Sequence, residues 1–493
     1  MAALMAAPMA QTPPRTLKRS MRVTGALLLT LSAVTPASSV FVIVPLVFAQ
    51  AGTGAFVSMA AVGLVSLLVA YVYAELSSAF PIAGGEYSMV GKTLGPAIGF
   101  ATLALTAVGN MLSPAVFALG AATYIGALVP GLDARAVAIA IIVSTTLMGV
   151  LHIRTNAWVT GGFLMLELLT LAVLSVLGFW HAHQALPALL FHPLALSAGA
   201  LHPTTLSMIG FSAATSIFAY TGFGSAVYFA EEMHEAPRLV ARTIMLALVV
   251  TVVTELIPVT AVLMGAPDVK ALLGSADPFS YFVLATAGRA LNVAISLGIA
   301  LAIINAVLAT VMQNGRFFYS TGRDGTWHWS INDAFTRTHA RTNSPWAATL
   351  ASGATAVAMC FVSMKYLLVL TGTGLVFVYM ALCLGVLIGR QTGASAHAAY
   401  RMPLFPLVPI VALLALGFVV YASWLDPDTG FWSLIMNAIV IALSLAYYKF
   451  VLVRRKAWAL SGPEDETAQS YAVGPAAPPY KAAARGDIPA EML

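Results

Sequence analysis

Thr35-Pro36-Ala37-Ser38-Ser39-Val40-Phe41 lies in the middle of an apolar run that extends from residue 24 to residue 48. That run is long enough to cross a bilayer as a helix, which requires about 20 largely apolar residues. Pro36 has no backbone amide donor, and its ring clashes with the preceding helical turn. The stretch therefore predicts a membrane-spanning helix that is broken near its centre.

A second stretch, Phe218-Ala219-Tyr220-Thr221-Gly222-Phe223-Gly224-Ser225, interrupts the apolar run from 205 to 231. Each glycine inside a helix costs about 1 kcal/mol relative to alanine, so the two glycines weaken this helix. Either stretch alone is compatible with a simple kink. Two interrupted spans at corresponding places in two five-span halves are instead typical of inverted-repeat transporters, whose substrate site lies between the breaks.

The composition of the whole chain excludes a soluble protein. Its 493 residues are 60% hydrophobic and 9% charged, with a mean hydropathy of +0.89, whereas an ordinary soluble domain has about 25% charged residues. The net charge of +5 is spread over many short loops, so a nucleic acid is not an expected partner. Cys360 and Cys383 lie in apolar runs, which excludes a disulfide framework and a paired-thiol metal site.

Twelve stretches are long and apolar enough to span a membrane, which predicts an all-α integral membrane protein. The runs are continuously apolar and do not alternate, so the strands of a barrel are excluded. The expected spans are 24–48, 54–79, 96–127, 135–152, 157–180, 205–231, 239–265, 289–315, 346–364, 366–389, 404–424 and 430–452.

The positions of the 24 lysines and arginines predict the orientation of these spans, because cytoplasmic loops are enriched in basic residues. With a cytoplasmic N-terminus, twenty lie inside and only Arg135, Lys270, Arg289 and Lys365 lie outside. We therefore expect both termini to be cytoplasmic. The expected organisation is a disordered N-terminal tail at 1–23, a transport core of spans one to ten at 24–389, spans eleven and twelve at 390–453, and a disordered C-terminal tail at 454–493.

Four groups of motifs, in order along the chain, resemble signatures of the amino acid, polyamine and organocation transporter superfamily. They are the stretch at 35–41, Phe80-Pro81 with Gly84-Gly85-Glu86-Tyr87 after span two, Ala230-Glu231-Glu232 with Pro237-Arg238 and Arg242 after span six, and Arg316 with Gly322-Arg323-Asp324-Gly325 and Ser344-Pro345 after span eight. The resemblance covers about residues 20 to 452. It implies a core of five plus five spans in inverted repeat, followed by two further helices.

The resemblance also implies that an amino acid or amine is held at mid-membrane between spans one, three, six, eight and ten. Amides and hydroxyls at the first break suit a carboxylate, and carbonyls at the second break suit an ammonium group. The expected substrate-contacting residues are Ala37, Ser38, Ser39, Phe218, Ala219, Tyr220, Thr221, Gly222 and Phe223. Ordinary packing is the alternative for each of the aromatic residues. Many relatives carry a glutamate where this chain has Gly224, so the role of that glutamate does not carry over.

Acidic residues inside spans are costly and are therefore functional candidates. Glu167 lies near the middle of span five and Glu255 lies beside Pro258 in span seven. Some proton-coupled relatives have a lysine in this part of span five, which this chain lacks. We expect Glu167, and next Glu255, to carry a coupling proton. Two alternatives stay open for Glu167: it faces a cationic group of the substrate, or it is a protonated acid bonded to a neighbouring helix. Glu75, near the cytoplasmic end of span two, is expected to have a structural role.

The motifs after spans six and eight supply charged residues on the cytoplasmic side. We expect them to form ion pairs of an inner gate that break when the site opens inward, although a static salt-bridged surface is the alternative. The expected gate residues are Glu231, Glu232, Arg238, Arg242, Arg316, Arg323 and Asp324.

The sequence thus predicts a secondary-active permease of the cytoplasmic (inner) membrane that moves an amino acid or related amine by alternating access. A proton is the favoured coupling ion; Asn305 and Thr310 keep a sodium site open. A polyamine or amino-alcohol importer and a substrate/product antiporter are the alternatives, and a multi-span enzyme or a nutrient sensor is remote. The chain contains no phosphate-binding loop, and we expect no cofactor and no metal. The histidines at 181, 183, 192 and 202 lack the spacing of zinc motifs. The oligomeric state and the substrate are left open.

Overall fold

The structure is a computed structural model of the full chain. It describes residues 23–82, 84–129, 131–150, 153–233, 235–339, 344–455 and 458–460, without the side chains of residues 127, 128, 153–160, 231 and 232. The predicted disordered tails lie mainly outside these residues. At the C-terminal end the helix continues to Arg455, and the Trp458 ring packs against Phe100 at 5.5 Å and Tyr448 at 5.8 Å.

The described chain is almost entirely helical. Its α-helices, in chain order, are α1 Val23–Val34, α2 Pro36–Ser38, α3 Val44–Ala51, α4 Ala55–Ala79, α5 Glu86–Leu94, α6 Pro96–Leu128, α7 Ala134–Gly149, α8 Ile153–Trp180, α9 Leu186–Phe191, α10 Leu206–Ala219, α11 Ala236–Gly265, α12 Val269–Gly274, α13 Pro278–Arg323, α14 Trp329–Thr336, α15 Trp346–Met359, α16 Met364–Thr392, α17 Leu407–Trp424, α18 Gly430–Tyr447 and α19 Val453–Arg455. Tighter 3₁₀ segments run over Gly52–Gly54 and Phe223–Glu232, and wider π-helical turns over Ser39–Ile43 and Tyr448–Leu452.

Nine helical segments in the described part of the chain are long and apolar enough to cross a membrane. The first of them, Val23–Ala79, has 57 residues and contains both of the first two predicted spans. Two shorter apolar helices, Ala134–Gly149 and Trp346–Met359, coincide with the fourth and ninth predicted spans. The prediction of an all-α membrane protein is confirmed at this level.

The longest helix, α13, is bent at Gly288, whose φ of 81° lies in the left-handed region that favours glycine. The bend separates a segment at 278–287 from the long segment at 289–323. Asp277 caps the first segment by accepting a hydrogen bond from the Ser280 amide at 3.1 Å. The sequence predicted a span only over 289–315, so it did not predict the helical segment at 278–287 or the last turns of α13, at 316–323.

A two-stranded hairpin lies in the connection between α9 and α10. Strand β1, Leu194–Ser197, pairs antiparallel with β2, Ala200–Pro203. The two turn residues, Ala198 and Gly199, have φ of 49° and 77°, as a tight hairpin turn requires. The hairpin packs on the turn between α3 and α4, where the Leu194 amide donates to Thr53 Oγ1 at 2.8 Å.

The helices that surround the centre of the molecule come from distant parts of the sequence. The helix α13 packs against α6 and α8, and α11 packs against α4 and α8. The helices α1 and α2 pack against α8, α11 and α13, and the 3₁₀ segment Phe223–Glu232 packs against α1, α4, α11 and α13. The two interrupted stretches are therefore enclosed by the long helices.

Candidate functional site

The first interruption lies between α1 and α2. Thr35 has φ 51° and ψ 67°, in the left-handed region that a β-branched residue rarely adopts. Pro36 then begins a new helical segment, which suits proline because the first helical amide has no partner within the helix. Ser38 and Ser39 are buried, and the Ser38 hydroxyl has no hydrogen-bond partner.

The second interruption lies between α10 and the 3₁₀ segment Phe223–Glu232. The α-helix ends at Ala219, and Gly222 has φ 103° in the left-handed region. A Cβ atom on Gly222 would lie 2.8 Å from the Cα of Val34, at the end of α1. Only glycine combines this backbone conformation with such a close approach.

A hydrogen bond joins the two interruptions. The Ser39 hydroxyl donates to the Ala219 carbonyl at 2.9 Å. In addition, the Thr221 amide donates to the Phe218 carbonyl at 3.2 Å. Two of the carbonyls that the sequence offered to an ammonium group are therefore already used within the protein.

A central cavity lies beside the interruptions, and about 70 Å³ of it is open to the centres of water molecules. Its wall is formed by residues of α1, α4, α5, α6, α10, α13, α16 and α18, together with the Ser39–Ile43 turn and the 3₁₀ segment Phe223–Glu232. Polar side chains on the wall are Ser39, Tyr73, Glu86, Thr106, Asn110, Ser113, Thr221, Ser225, Tyr228, Thr310, Gln313, Asn314, Thr371, Tyr379 and Asn437. A pocket with an apolar wall and a few converging polar groups is what a small-molecule site requires.

The cavity contains part of the predicted substrate-contacting set. Ser39, Phe218, Thr221 and Gly222 lie on its wall. The remaining members, Ala37, Ser38, Ala219, Tyr220 and Phe223, are buried but are not among the described residues of the wall. The helices turn these side chains toward neighbouring helices, and the local sequence does not reveal that rotation.

The aromatic rings of Tyr73, Phe223 and Tyr379 pack together between the second interruption and the wall of the cavity. The Tyr379 ring lies 6.1 Å from the Tyr73 ring and 6.2 Å from the Phe223 ring. The Tyr379 hydroxyl is 3.3 Å from the Thr221 Oγ1 atom, and either can donate the hydrogen bond. Through these contacts, α16 and α4 pack against each other and against the second interruption at this part of the wall.

Among the described residues on the wall of the cavity, Glu86 carries the only carboxyl group. Tyr73 donates a hydrogen bond to its Oε1 atom and Tyr228 donates to its Oε2 atom, each at 2.5 Å. The sequence placed Glu86 in a motif but assigned it no role. The partners come from α4 and from the 3₁₀ segment, so only the fold brings them together.

Glu167 lies on α8 and is fully buried, outside the described wall of the cavity. Its Oε1 atom accepts a hydrogen bond from the Asn305 side-chain amide at 3.3 Å, and its Oε2 atom has no hydrogen-bond partner. The carboxyl group also lies beside the backbone amide of Ala37. Glu167 thus lies beside the first interruption but not on the described wall of the cavity.

Glu255 lies on α11 and is also fully buried. Neither of its carboxyl oxygens has a hydrogen-bond partner. The side chains of Ser39 and Tyr220 lie close enough to interact with this carboxyl group. Both predicted proton carriers therefore contact the interrupted stretches and not the described wall of the cavity.

The predicted gate residues do not form a single cluster in the described structure. Arg238 and Arg242 are exposed on α11, whereas Arg316 is buried with its guanidinium 5.0 Å from the centre of the Phe229 ring. Arg323 and Asp324 are neighbours in an ion pair of 3.7 Å. Glu231 and Glu232 end the 3₁₀ segment, and their side chains lie outside the described residues.

Tyr87 is a partner of Asp324 that sequence reasoning missed. Its hydroxyl is 2.9 Å from Asp324 Oδ2 and 2.8 Å from Ser320 Oγ. The Tyr87 ring packs edge-on against Phe317, whose ring also meets Tyr228. The motif after span two therefore joins the end of α13 through Tyr87 and the cavity through Glu86.

Glu75, for which the sequence predicted a structural role, lies in a buried ion pair. Arg390 makes a two-pronged ion pair with it, at 2.7 Å from Nε to Oε1 and 2.6 Å from Nη2 to Oε2. The Met402 amide donates to Oε2 at 2.9 Å, and Arg401 approaches Oε1 at 3.3 Å. The carboxyl group thus ties α4 to the end of α16 and to the connection that follows.

The histidines of the connection between α8 and α10 are partly or fully exposed. Among the described residues, no group of three or more histidine, cysteine, aspartate or glutamate side chains is placed to hold a metal ion.

Comparison with known proteins identifies relatives over most of the chain. The family model described as amino acid permease matches residues 22–445. The methylthioribose transporter of Bacillus subtilis is 27% identical over 76% of this chain and 82% of its own length. The branched-chain amino acid permease BcaP of Lactococcus lactis is 28% identical over 83% of this chain and 90% of its own length. The low-affinity putrescine importer PlaP of Escherichia coli is 23% identical over 52% of this chain and 57% of its own length.

These relatives are all named transporters or permeases, which confirms the predictions of a transport protein and of a chain that is not an enzyme. The superfamily resemblance that the motifs indicated is confirmed as well. With its apolar helices, its central cavity and a family match over most of its length, the chain belongs to the amino acid permease family of multi-pass membrane transporters.

Proposed function

We propose that this permease moves an amino acid or a related amine across the cytoplasmic membrane by alternating access, driven by a proton gradient. The observation that carries the proposal is the cavity whose wall includes both interrupted stretches, with Ser39 bonded across to Ala219. Interrupted helices in contact at a central cavity are the arrangement by which inverted-repeat transporters hold a small substrate.

The proposed substrate site lies where Ser39, Phe218, Thr221 and Gly222 meet the cavity. Its polar atoms come from the hydroxyls of Ser39 and Thr221 and from the freed backbone at both interruptions. The Phe117 and Phe218 rings, with centres 6.3 Å apart, supply an apolar face. The other predicted contact residues are proposed to pack outside the wall and to orient the backbone groups of the site. They are Ala37, Ser38, Ala219, Tyr220 and Phe223.

The proposed topology has twelve spans with both termini on the cytoplasmic side of the inner membrane. Val23–Ala79 is long enough to cross twice, and α7 and α15 are apolar helices between longer ones. Adding these to the remaining long segments supports twelve crossings, arranged as five plus five with two more at the end. The excess of basic residues in alternate connections supports the orientation.

The proposed proton carriers are Glu167 and, second to it, Glu255. Both are fully buried and both have unpartnered carboxyl oxygens beside the interrupted stretches. A buried carboxylate without a cation is costly, so such a group binds a proton unless its surroundings change. A conformational change at Ala37 or Ser39 alters those surroundings directly, which would connect protonation to alternating access.

The proposed inner gate contains Arg316, Arg323 and Asp324, with Tyr87 as a further member. These residues gather at the end of α13, where Tyr87 and Arg323 both contact Asp324. Glu231 and Glu232 end the 3₁₀ segment, and Arg238 and Arg242 lie on α11. These four residues are proposed to join the gate when the site opens.

Uptake by the purified full chain in proteoliposomes tests the proposal. The probes are radiolabelled leucine, putrescine and methylthioribose, each with and without an imposed inward proton gradient. We expect leucine or putrescine to accumulate in the presence of the gradient and to be released by a protonophore, whereas accumulation of methylthioribose alone would contradict the proposed substrate class. Glu167→Gln is expected to abolish accumulation while exchange of external for internal substrate persists.

The outcome for the probes also separates the substrate classes. Uptake of putrescine alone would favour a polyamine importer, for which the cavity offers no basic side chain among its described wall residues to repel a cation. Saturable exchange that ignores both the gradient and Glu167→Gln would indicate an antiporter. No binding or transport of any probe by wild type would contradict the proposed substrate class.

A further inference from the structure

Glu86 is a buried carboxyl group on the wall of the cavity, and the proposed function gives it no role. It begins α5 directly after Gly85, whose φ of 66° lies in the left-handed region. It lies in the connection between α4 and α6, outside the long apolar segments. Its two oxygens each accept one short hydrogen bond, from Tyr73 and from Tyr228.

The charge of the cavity wall depends on this residue. Among the described residues on the wall, Glu86 carries the only carboxyl group and none carries a lysine, arginine or histidine side chain. An ionised carboxylate that is buried without a cation is costly, which favours binding of a proton. Burial accordingly raises the pKa of Glu86, although the hydrogen bonds from Tyr228, Tyr73 and its own backbone act in the opposite direction.

The groups that face Glu86 come from each of the elements around it. Tyr73 comes from α4 and Tyr228 from the 3₁₀ segment, and Tyr379 of α16 interacts with the Glu86 carboxyl at longer range. The side chain of Asn110, on α6, lies beside the Tyr228 hydroxyl. All of these are uncharged near neutral pH, so Glu86 is the group whose charge can change there.

The rings of Tyr228 and Tyr73 are packed closely against the backbone at Gly85 and Gly224. A Cβ atom on Gly85 would lie 2.8 Å from a ring carbon of Tyr228, and one on Gly224 would lie 2.8 Å from a ring carbon of Tyr73. The elements α4, α5 and the 3₁₀ segment therefore cannot separate at this point while Glu86 keeps both hydrogen bonds. Tyr73 also touches the Phe223 and Tyr379 rings, which extend to Thr221 in the second interruption.

We propose that Glu86 is a proton-binding residue of the transport cycle, which clamps Tyr73 and Tyr228 together when ionised and loosens them when protonated. The inference rests on the proposed function of a proton-driven permease. The ionised carboxylate accepts two charge-assisted hydrogen bonds, which are roughly twice as strong as bonds between neutral groups. A proton on either oxygen turns that oxygen into a donor, so the tyrosine bonded to it must rotate its own hydroxyl away.

The proton in this step is taken from water in the cavity and returned to water, and no covalent bond between heavier atoms changes. The role proposed for Glu86 differs from the role proposed for Glu167 and Glu255, which lie beside the interrupted stretches and outside the described wall of the cavity. Those residues would link proton binding to the movement of the substrate site. Glu86 would link it to the opening of the cavity between α4, α5 and the 3₁₀ segment.

The test uses the full chain in proteoliposomes and measures exchange of internal for external substrate at equal pH on both sides. The probe is whichever of radiolabelled leucine, putrescine and methylthioribose the wild type exchanges. We expect the wild-type exchange rate to change several-fold across a pH series, and the rate of Glu86→Gln to change much less across the same series, because Glu167 and Glu255 still titrate but Glu86 does not. Gln has the size of Glu and can bond to both tyrosines but cannot titrate, so the variant separates the charge from the shape.

Two further variants isolate the carboxyl group from its surroundings. Glu86→Asp keeps a titratable group, so its pH dependence should persist at a shifted midpoint. Asp333→Asn removes a carboxyl group of the exposed helix α14, and its pH profile should equal that of the wild type. A wild-type pH profile in Glu86→Gln, at whatever absolute rate, would overturn the proposal and leave Glu86 a structural residue.

A spectroscopic measurement decides the question without any substrate. Infrared difference spectra of the wild type between acidic and alkaline buffer should contain the carbonyl band of a protonated carboxyl group that Glu86→Gln lacks and Asp333→Asn retains. An unchanged spectrum in Glu86→Gln would contradict proton binding at Glu86. Wild-type protein that exchanges none of the probes would contradict the proposed function instead, while this spectrum would still decide whether Glu86 titrates.

Discussion

Gly222 is the residue at which the two interrupted stretches meet. Its φ of 103° and the 2.8 Å that would separate an added Cβ from Val34 leave no space for a side chain. Val34 contributes backbone atoms to this contact, so a flexible neighbour cannot give way. The second interruption therefore depends on a single methyl group being absent.

Gly222→Ala is expected to lower the free energy of unfolding by about 1–3 kcal/mol, because alanine is strained in this backbone region and collides with α1. The loss can be measured as a lower midpoint of thermal unfolding in detergent. Gly417→Ala is the matched control, since Gly417 lies in α17 with nothing within 4 Å of an added Cβ. Equal stability of Gly222→Ala and wild type would show that the two interruptions do not hold this contact.

Glu86 shows why the sequence identified a motif without its purpose. Gly84-Gly85-Glu86-Tyr87 is part of a motif that resembles the transporter superfamily, and its glycines explain the sharp turn into α5. Tyr228, which completes the carboxyl's hydrogen bonds, is 142 positions away. Local pattern cannot reveal that pair, because the contact depends on how the 3₁₀ segment lies against α5.

The ends of α4 and α16 are held together by the buried carboxyl group of Glu75. Its side chain is inaccessible, and its partner Arg390 is 20% exposed. The Arg390 guanidinium also lies 4.1 Å from the centre of the Phe405 ring, so the same arginine fixes the connection to α17. Removing one member of a buried ion pair leaves the other uncompensated.

Glu75→Gln is expected to lower the free energy of unfolding by about 3 kcal/mol, because it leaves the Arg390 charge without its partner. Thermal unfolding of the purified protein in detergent measures the effect. Asp333→Asn, in the exposed pair with Arg337, is expected to change the free energy by less than about 0.5 kcal/mol. Similar losses in both variants would mean that the Glu75 pair behaves as a surface pair.

The 3₁₀ segment Phe223–Glu232 is an element that the sequence did not predict. The sequence predicted that the sixth span, 205–231, is interrupted at 218–225, but not how the chain winds after the interruption. After Gly222 the chain winds more tightly, and its Tyr228 side chain reaches Glu86. Hydrogen bonds and ring contacts to α4, α5 and α13 stabilise this less favourable winding, and none of them is visible in the local sequence.

At the scale of the whole molecule, the proposed topology places alternate connections on opposite sides of the membrane. Lys270 precedes α13 on the expected outer side, and Arg337 follows α14 on the expected inner side. Both residues are exposed, whereas the two native cysteines, Cys360 and Cys383, are buried. The chain therefore offers a low background for thiol labelling.

Lys270→Cys is expected to react with a membrane-impermeant maleimide in intact cells, and Arg337→Cys only after the membrane is permeabilised. The reason is the excess of basic residues on the proposed inner side, which sets the orientation during insertion. The chain without new cysteines is the control for background labelling. Labelling of Arg337→Cys in intact cells would contradict the proposed orientation.

The sequence by itself determined that this chain is an all-helical membrane protein with weak points at 35–41 and 218–225, and that it resembles one transporter superfamily. Length, hydropathy and the special backbone of proline and glycine are local properties, so they can be read one stretch at a time. The tertiary structure alone decided which side chains reach the cavity. It turned Tyr220 and Phe223 away, placed Glu167 and Glu255 behind the first interruption, and brought Glu86 to the wall. The rotation of a helix that is apolar on every side is set by its neighbours, because its own sequence gives no preferred face.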